Sequence, residues 1–196
     1  MIVYLHGFNS SPQSHKAKLL GEYLAQRGLA SCYGCPALPP LASDAVRVIE
    51  ASLASGEVCF VGSSLGGFYA TYLAEARGAK AVLINPAIEP YVGLRAYLGP
   101  QRNLHTGEVY ELTESHLREW EKLEVPQVTP RRYLLLVETG DEVLDYRQAV
   151  RRYAGCEQVV VEGGDHSLQS FPRHLARIVE FAGHGCARGR RRSSPG

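Results

Sequence analysis

Short apolar runs alternate with stretches of helical periodicity along most of the chain. This alternation is typical of a parallel sheet that is covered by helices on both faces. The six strand candidates are, in chain order, IVYLHG, ASCYGCPA, EVCFVGS, KAVLINPA, RYLLLVETG and QVVVEGG. The pattern therefore predicts an α/β protein with a six-stranded, mainly parallel sheet.

The segments between these strands place apolar residues three or four positions apart, as helices with one buried face do. One helix is predicted over about residues 12–27, with Gly28 at its end, and another over residues 65–77. Between them, Ser43 is expected to cap a third helix. The apolar face of a last helix, after the sixth strand, comprises Leu175, Ile178, Val179 and Phe181.

One connection, residues 88–129 between the fourth and fifth strands, is too long for a plain crossover. It contains Pro and Gly and then an amphipathic helix through Leu117, Trp120 and Leu123. We interpret it as a short cap insertion over a site at the sheet edge. The alternative is an ordinary crossover helix with an irregular loop.

Charge is distributed unevenly along the 196 residues, whose formal net charge is +1. Four arginines lie in residues 184–196, and without them 17 basic residues face 20 acidic ones. Such a body has no electrostatic footprint for nucleic acid. We therefore expect one domain over residues 1–183 and a basic, disordered tail over residues 184–196.

The N-terminal sequence MIVYLHGF has no basic region followed by a long apolar stretch, so no signal peptide is expected. No window approaches the ~20 apolar residues that a membrane span requires. The expected location is the cytoplasm.

The segment VGSSLGG contains a GxSxG pattern made by Gly62, Ser64 and Gly66. The pattern alone is weak, because a chain with many Gly and Ser residues often contains it by chance. A nucleophile elbow also requires a buried strand before the turn and a helix directly after it. EVCFVGS and LGGFYATYLAEAR supply both, so Ser64 is the expected nucleophile of an α/β-hydrolase.

A serine hydroxyl needs a base to take its proton and an acid to orient that base. In this fold the acid and then the histidine follow the serine, each just past a later strand. His166, in VVVEGGDHS, is the expected base, and Asp141, in LLLVETGDEV, is the expected acid. Asp165 is expected to be a turn residue. The alternatives for the acid are Asp145, Glu138 and Glu142.

Acyl transfer also needs hydrogen-bond donors for the oxyanion of the transition state. The expected donors are the backbone N–H groups of Phe8, just after the first strand, and Leu65, at the start of the helix after the serine. His6 is expected to hydrogen-bond its own loop rather than act as a second base. The chain lacks GxGxxG, GxxxxGK[ST] and HExxH, so no cofactor and no metal are expected.

Five segments together resemble the YqiA-like esterases, small bacterial α/β-hydrolases that lack the leading strands of larger relatives. These segments are YLHGFNSSP (4–12), VGSSLGGFYAT (61–71), NPA (85–87), TGDEVLDYR (139–147) and EGGDHS (162–167). The resemblance extends to about residue 181. It implies a minimal three-layer α/β-hydrolase fold, catalytic roles for Ser64, Asp141 and His166, and hydrolysis of acyl esters.

The sequence therefore predicts a serine esterase that acts on a small-molecule ester through an acyl-enzyme on Ser64. An acyl-CoA thioesterase is one alternative, because a thioester presents its carbonyl to the same residues. A non-catalytic binding protein on a hydrolase scaffold is another, and the intact Ser64, Asp141 and His166 argue against it. Within the cap, Leu94, Tyr97 and Trp120 are expected to touch the acyl chain.

Overall fold

The six predicted strands form one parallel sheet in the computed structural model, which describes residues 1–183. The predicted basic tail, residues 184–196, lies outside the described residues. In chain order the strands are β1 Ile2–Leu5, β2 Tyr33–Gly34, β3 Cys59–Ser63, β4 Lys80–Ile84, β5 Gly99–Arg102, β6 Val109–Leu112, β7 Tyr133–Glu138 and β8 Glu157–Val161.

The sheet has the strand order β2-β1-β3-β4-β7-β8, so the predicted six-stranded parallel sheet is confirmed. Leu5 pairs with Gly62, and Ile84 pairs with Ser63 on one side and with Leu136 on the other. The strands therefore end close to one line. The loops that follow them meet at this carboxyl edge, where open α/β sheets bind their ligands.

Helices cover both faces of the sheet. They are α1 His15–Ala25, α2 Ala42–Ala51, α3 Leu65–Arg77, α4 Pro90–Gly93, α5 Glu114–Lys122, α6 Tyr146–Arg152 and α7 Phe171–Ala182. Val3 and Leu5 of β1 face the layer that contains α2, α3, α5 and α6, whereas Ile2 and Tyr4 face α1 and α7. This alternation along a strand produces the three layers.

The structure differs from the predicted elements at two places. The helix that Ser43 was expected to cap, α2, begins at Ala42 and has Leu41 at its N-cap, so the predicted cap at Ser43 is wrong. Ser43 lies inside the first turn, and its N–H donates instead to Glu119 Oε2 of α5, at 2.9 Å. The antiparallel hairpin of β5 and β6 was not predicted, because GPQR and VYEL lack the run of apolar residues that marks a buried strand.

The segment between β4 and β7 contains α4, the hairpin and α5. Leu117 and Trp120 of α5 are buried and join the core on the α3 side. Its interpretation as a cap stays a prediction. Among residues 1–183, no helix is long and apolar enough to cross a membrane.

Candidate active site

Ser64 lies in the turn that joins β3 to α3, with φ 54° and ψ −121°. This backbone conformation is strained for a residue that has a Cβ atom. The adjacent glycines permit the turn: a Cβ on Gly62 would lie 2.2 Å from the Gly66 carbonyl oxygen, and one on Gly66 would lie 2.0 Å from that of Leu5. Close packing at the turn therefore excludes side chains at both glycine positions.

The loop after β1 lies directly beside this serine. A Cβ on Gly7 would be 3.3 Å from the Cβ of Ser64, and the next residue, Phe8, lines the same cavity as Ser64. Within residues 1–183, neither the Phe8 N–H nor the Leu65 N–H donates to a protein acceptor. Two backbone donors near the serine, one in the loop after β1 and one at the start of α3, thus have no partner in the described part of the chain.

His166 follows β8, Asp141 follows β7, and their side chains are hydrogen-bonded. The His166 Nδ1 lies 2.9 Å from Oδ2 and 3.0 Å from Oδ1 of Asp141. An ionised carboxylate only accepts hydrogen bonds, so Nδ1 carries the proton and Nε2 of the neutral ring keeps its lone pair. The Asp141 side chain is 2% exposed and that of His166 is 23% exposed. The carboxylate is therefore shielded from water while the ring remains accessible.

The Asp141 carboxylate is held in its charged form. Burial alone would raise its pKa, but hydrogen bonds from His166 and from the Leu144 and Val143 amides outweigh burial and lower the pKa below its ordinary value. The two amides donate to Oδ1 at 2.9 Å each. Asp141 is therefore both oriented and ionised.

Ser64 and His166 line one cavity of about 1080 Å³ at the carboxyl edge of the sheet. The loops after β1, β3, β4, β7 and β8 contribute to its wall, as does the first turn of α1. Apolar side chains in its wall include Ile88, Val92, Leu94, Tyr97, Val143 and Leu144. A mainly apolar cavity with a few polar groups is the usual form of a small-molecule site.

Two of the three residues expected to touch an acyl chain lie in the cavity wall: Leu94 and Tyr97. Trp120 does not line it, so this expectation is wrong. The Trp120 ring is fully buried, its Nε1 donates to Tyr69 Oη at 2.6 Å, and its edge contacts Phe8 at a centroid distance of 6.4 Å. Amphipathic spacing identifies a buried face, and here the Trp120 on that face packs in the core against Tyr69 of α3 rather than on the cavity.

The other carboxylates considered for the acid have different partners. Asp145 Oδ1 accepts from Arg147 N and caps α6, as its position one turn beyond the expected acid suggests. Glu142 Oε2 accepts from the backbone N–H of His166 at 3.0 Å, not from its ring. Asp165 accepts from the Ser167 N–H at 2.8 Å, which confirms its prediction as a turn residue.

His6 hydrogen-bonds within the loops around it, as predicted. Its Nδ1 lies 3.1 Å from the Gly7 carbonyl oxygen, and its Nε2 accepts from the Leu38 N–H at 3.0 Å. Burial lowers the pKa of His6, so the ring is neutral with Nδ1 as the donor. Both ring nitrogens are occupied, and His6 therefore fixes the turn that leads to Phe8.

The sequence analysis missed two residues that hold the loop of His166. Asn85, which follows β4, donates from Nδ2 to the carbonyl oxygens of Asp165 and His166, at 3.1 Å each. Lys16 of α1 donates from Nζ to the Ser167 carbonyl oxygen at 2.7 Å. Asn85 could have been predicted, because it belongs to the NPA segment. Lys16 could not, because a lysine in the first turn of a helix has the same sequence pattern as a solvent-exposed one.

Residues 1–183 contain no group of three or more His, Cys, Asp or Glu side chains placed to hold a metal ion.

The parallel sheet with helices on both faces and a strained serine between β3 and α3 define the α/β-hydrolase fold. Similar solved structures include alpha/beta hydrolase domain-containing protein 10 from mouse, with a TM-score of 0.69 and 19% identity over 90% of this chain and 87% of that one. Est1E from Butyrivibrio proteoclasticus has a TM-score of 0.69 and 15% identity over 95% and 88%. A monoacylglycerol lipase from Paleococcus ferrophilus has a TM-score of 0.63 and 18% identity over 92% and 93%. These similarities show the fold.

A match to a family model identifies the family of the chain within this fold. This family model matches residues 1–183 and is described as the uncharacterised protein family UPF0227. The chain therefore belongs to UPF0227, the YqiA-like family, and the resemblance of its five sequence segments is confirmed.

Proposed function

We propose that the protein is a serine hydrolase that cleaves carboxylic esters, with Ser64 as nucleophile, His166 as base and Asp141 as the acid that orients the base. The observation that carries the proposal is the hydrogen bond between the buried side chain of Asp141 and Nδ1 of His166, which lines the same cavity as a serine with strained backbone dihedrals. A buried acid, an accessible imidazole and an elbow serine are the parts of an acyl-transfer site.

The reaction follows from the protonation states of these groups. As Ser64 Oγ attacks the ester carbonyl carbon, its proton passes to His166 Nε2, and the charge of Asp141 stabilises the imidazolium. Collapse of the tetrahedral intermediate breaks the bond to the alcohol, which leaves with the proton from Nε2. Water then attacks the acyl carbon and gives a proton to Nε2. The second tetrahedral intermediate collapses by breaking the bond to Ser64 Oγ, which takes the proton back from Nε2 as the free acid leaves.

The amides of Phe8 and Leu65 are the proposed donors to the oxyanion. The first belongs to the loop after β1 and the second to the start of α3, and neither has an acceptor within residues 1–183. Loss of one such donor typically costs about 10²- to 10³-fold in kcat. The His6 hydrogen bonds to the neighbouring turn support the position of the Phe8 amide.

The cavity supports an ester with an apolar acyl group as substrate, since its wall includes Ile88, Leu94 and Leu144. An acyl-CoA thioester presents the same carbonyl to Ser64. A series of nitrophenyl esters of increasing acyl length, assayed beside acyl-CoA on one sample, distinguishes the two substrate classes by kcat/KM.

The first test is the substitution Ser64→Ala, for which we expect a loss of about 10³- to 10⁶-fold in ester hydrolysis with an unchanged thermal melt. A fluorophosphonate should label the parent protein at Ser64, and Ser63→Ala should keep that label. Ser63 is the matched control because it is the neighbouring serine, at the end of β3. Retention of more than about a tenth of the parent activity in Ser64→Ala would show that the nucleophile lies elsewhere.

A further inference from the structure

The loop that contains His166 is held by side chains from other parts of the fold. It follows β8 and lies outside the strands and helices until α7 begins at Phe171. A loop without a sheet partner must satisfy its backbone N–H and C=O groups in another way. The side chains from elsewhere in the fold that hydrogen-bond its backbone include Lys16, Asn85, Glu138, Thr139 and Glu142.

Glu138 makes the largest number of these contacts. Its carboxylate accepts from three backbone N–H groups of the loop: Asp165 at 2.9 Å, Gln169 at 2.9 Å and Ser170 at 2.7 Å. One donor precedes His166 and two follow it. The same carboxylate therefore fixes the chain on both sides of the imidazole.

The Glu138 side chain lies beneath the loop and not in the cavity. The residue is 1% exposed, does not line the cavity, and makes no hydrogen bond to the His166 ring within the described residues. Burial would raise the pKa of its carboxyl, but the hydrogen bonds from the loop outweigh burial and lower the pKa. Glu138 is therefore a buried anion whose partners are the loop amides.

Asn85 holds the same loop through its carbonyl groups. Its Nδ2 donates to the oxygens of Asp165 and His166, and its Oδ1 accepts from the Glu138 N–H at 3.1 Å. Asn85 has a φ of 39°, a left-handed conformation that Asn tolerates better than most residues. Through this side chain the end of β4 is joined both to Glu138 and to the loop.

Steric fit shows how closely the loop lies on Glu138. A Cβ on Gly164 would be 1.9 Å from Glu138 Oε2, and Gly164 has a φ of 69°. Both the space and the backbone conformation at this position therefore require glycine. The loop cannot move toward the carboxylate, and its hydrogen bonds prevent it from moving away.

We propose that Glu138, together with Asn85, is a positioning residue for His166: it sets the location of the imidazole relative to Ser64 without touching the ring or the substrate. The proposal rests on the serine hydrolase function proposed above. Charge is essential to the role, because an ionised carboxylate accepts from all three amides whereas a carboxamide turns a donor toward some of them. A buried N–H without an acceptor costs free energy, so replacing the carboxylate by a carboxamide displaces the loop.

The test is Glu138→Gln, which keeps the shape of the side chain. We expect kcat for a nitrophenyl ester to fall about 10- to 100-fold with KM changed less than about twofold, because a displaced base slows the chemical step and leaves binding intact. The rate of fluorophosphonate labelling at Ser64 should fall in step. Hydrogen exchange of residues 165–170 should become faster.

The control is Ile49→Ala in α2, a fully buried position on the other layer. It lowers the melting temperature without a contact to the loop, so its kcat should remain near the parent value. A second variant, Asn85→Gly, removes the side-chain amide but tolerates the positive φ. We expect the same separation of kcat from KM, with a smaller loss of about 3- to 10-fold.

The positioning role is overturned if Glu138→Gln keeps kcat within about twofold of the parent, or if Ile49→Ala loses as much kcat for an equal loss of melting temperature. If the parent neither hydrolyses esters nor labels at Ser64, the proposed function fails. The exchange measurement then still decides whether Glu138 holds the loop of His166: faster exchange of residues 165–170 in Glu138→Gln supports that anchoring, and unchanged exchange overturns it.

Discussion

Four carboxylates occur at the end of β7 and in the loop after it, and their hydrogen-bond partners separate their roles. Asp141 bonds to the His166 ring, Glu142 to its backbone N–H, Glu138 to the amides of its loop, and Asp145 to the first turn of α6. In sequence these four are close neighbours, and only position after the strand favours Asp141. The directions of the side chains, which depend on local backbone turns, distinguish them.

At the residue scale we predict different outcomes for two matched substitutions in this loop. Asp141→Asn should lower kcat by about 10⁴-fold, because the neutral amide no longer stabilises the imidazolium and can present a donor to the ring. Asp145→Asn should leave kcat and the melting temperature nearly unchanged, since Asn is as good an N-cap as Asp. The measurements are ester hydrolysis and a thermal melt for each variant. Greater loss of activity in a folded Asp145→Asn protein would contradict the assignment of the acid.

At the element scale, the segment between β4 and β7 has two parts with different surroundings. Its first part, α4 and the turn after it, supplies Leu94 and Tyr97 to the cavity wall. Its last part, α5, is fixed in the core by Leu117 and Trp120. In the turn that joins the two strands of the hairpin between them, Leu104 is 85% exposed. Only the first part is therefore placed to select among acyl chains.

We accordingly predict that Leu94→Ala lowers kcat/KM for long-chain esters by about 3- to 10-fold relative to short-chain esters, because about 0.8 kcal/mol is lost for each buried CH₂ that no longer contacts the substrate. Leu104→Ala is the matched control and should leave the ratio unchanged. Trp120→Ala should destabilise the fold by about 3–5 kcal/mol, the usual cost of removing a buried aromatic ring. A chain-length ratio that does not respond to Leu94→Ala would mean that α4 has no part in substrate selection.

At the scale of the whole molecule, the features that the sequence predicts are those with a local pattern. Buried parallel strands are continuous apolar runs, so all six were predicted, and the elbow serine is marked by Gly62 and Gly66. The packing of Trp120 and the hydrogen bonds of Glu138 were not, because each depends on residues distant in the chain. The hairpin was not predicted because its two strands lack a run of apolar residues. Side chains that act through tertiary contacts leave no periodic signal.

Another such contact lies at the opposite end of α3 from Ser64, about 15 Å along the helix. Glu75 accepts from the Thr129 N–H at 2.6 Å and from Tyr133 Oη at 2.7 Å, and it pairs with Arg132. These bonds join α3 to the start of β7. Burial would raise the pKa of Glu75, but the hydrogen bonds and the Arg132 charge outweigh burial and lower it.

The pH dependence of folding stability follows from this shift. The folded protein binds the Glu75 proton less tightly than the unfolded chain, in which the pKa stays near 4.5. Ionised Glu75 therefore contributes stability that is complete above about pH 4.5 and is lost as the pH falls through the lower pKa of the folded state. Glu75→Gln should lower the free energy of unfolding by about 1–3 kcal/mol at pH 7. For a protein of this size, each kcal/mol corresponds to about 2–4 °C in melting temperature.

The measurement is the melting temperature of the parent and of Glu75→Gln from pH 7 down to pH 3. The two curves should be separated at pH 7 and should approach each other in acid, where the parent carboxyl is protonated as well. Glu50→Gln is the control, because the Glu50 pair with Arg77 is exposed and such pairs contribute about 0–1 kcal/mol. Ester hydrolysis at pH 7 should be unaffected in both variants, since neither residue lines the cavity. If the melting temperature of Glu75→Gln stays below that of the parent by a constant amount down to pH 3, Glu75 is not the source of the stability that the parent loses in acid.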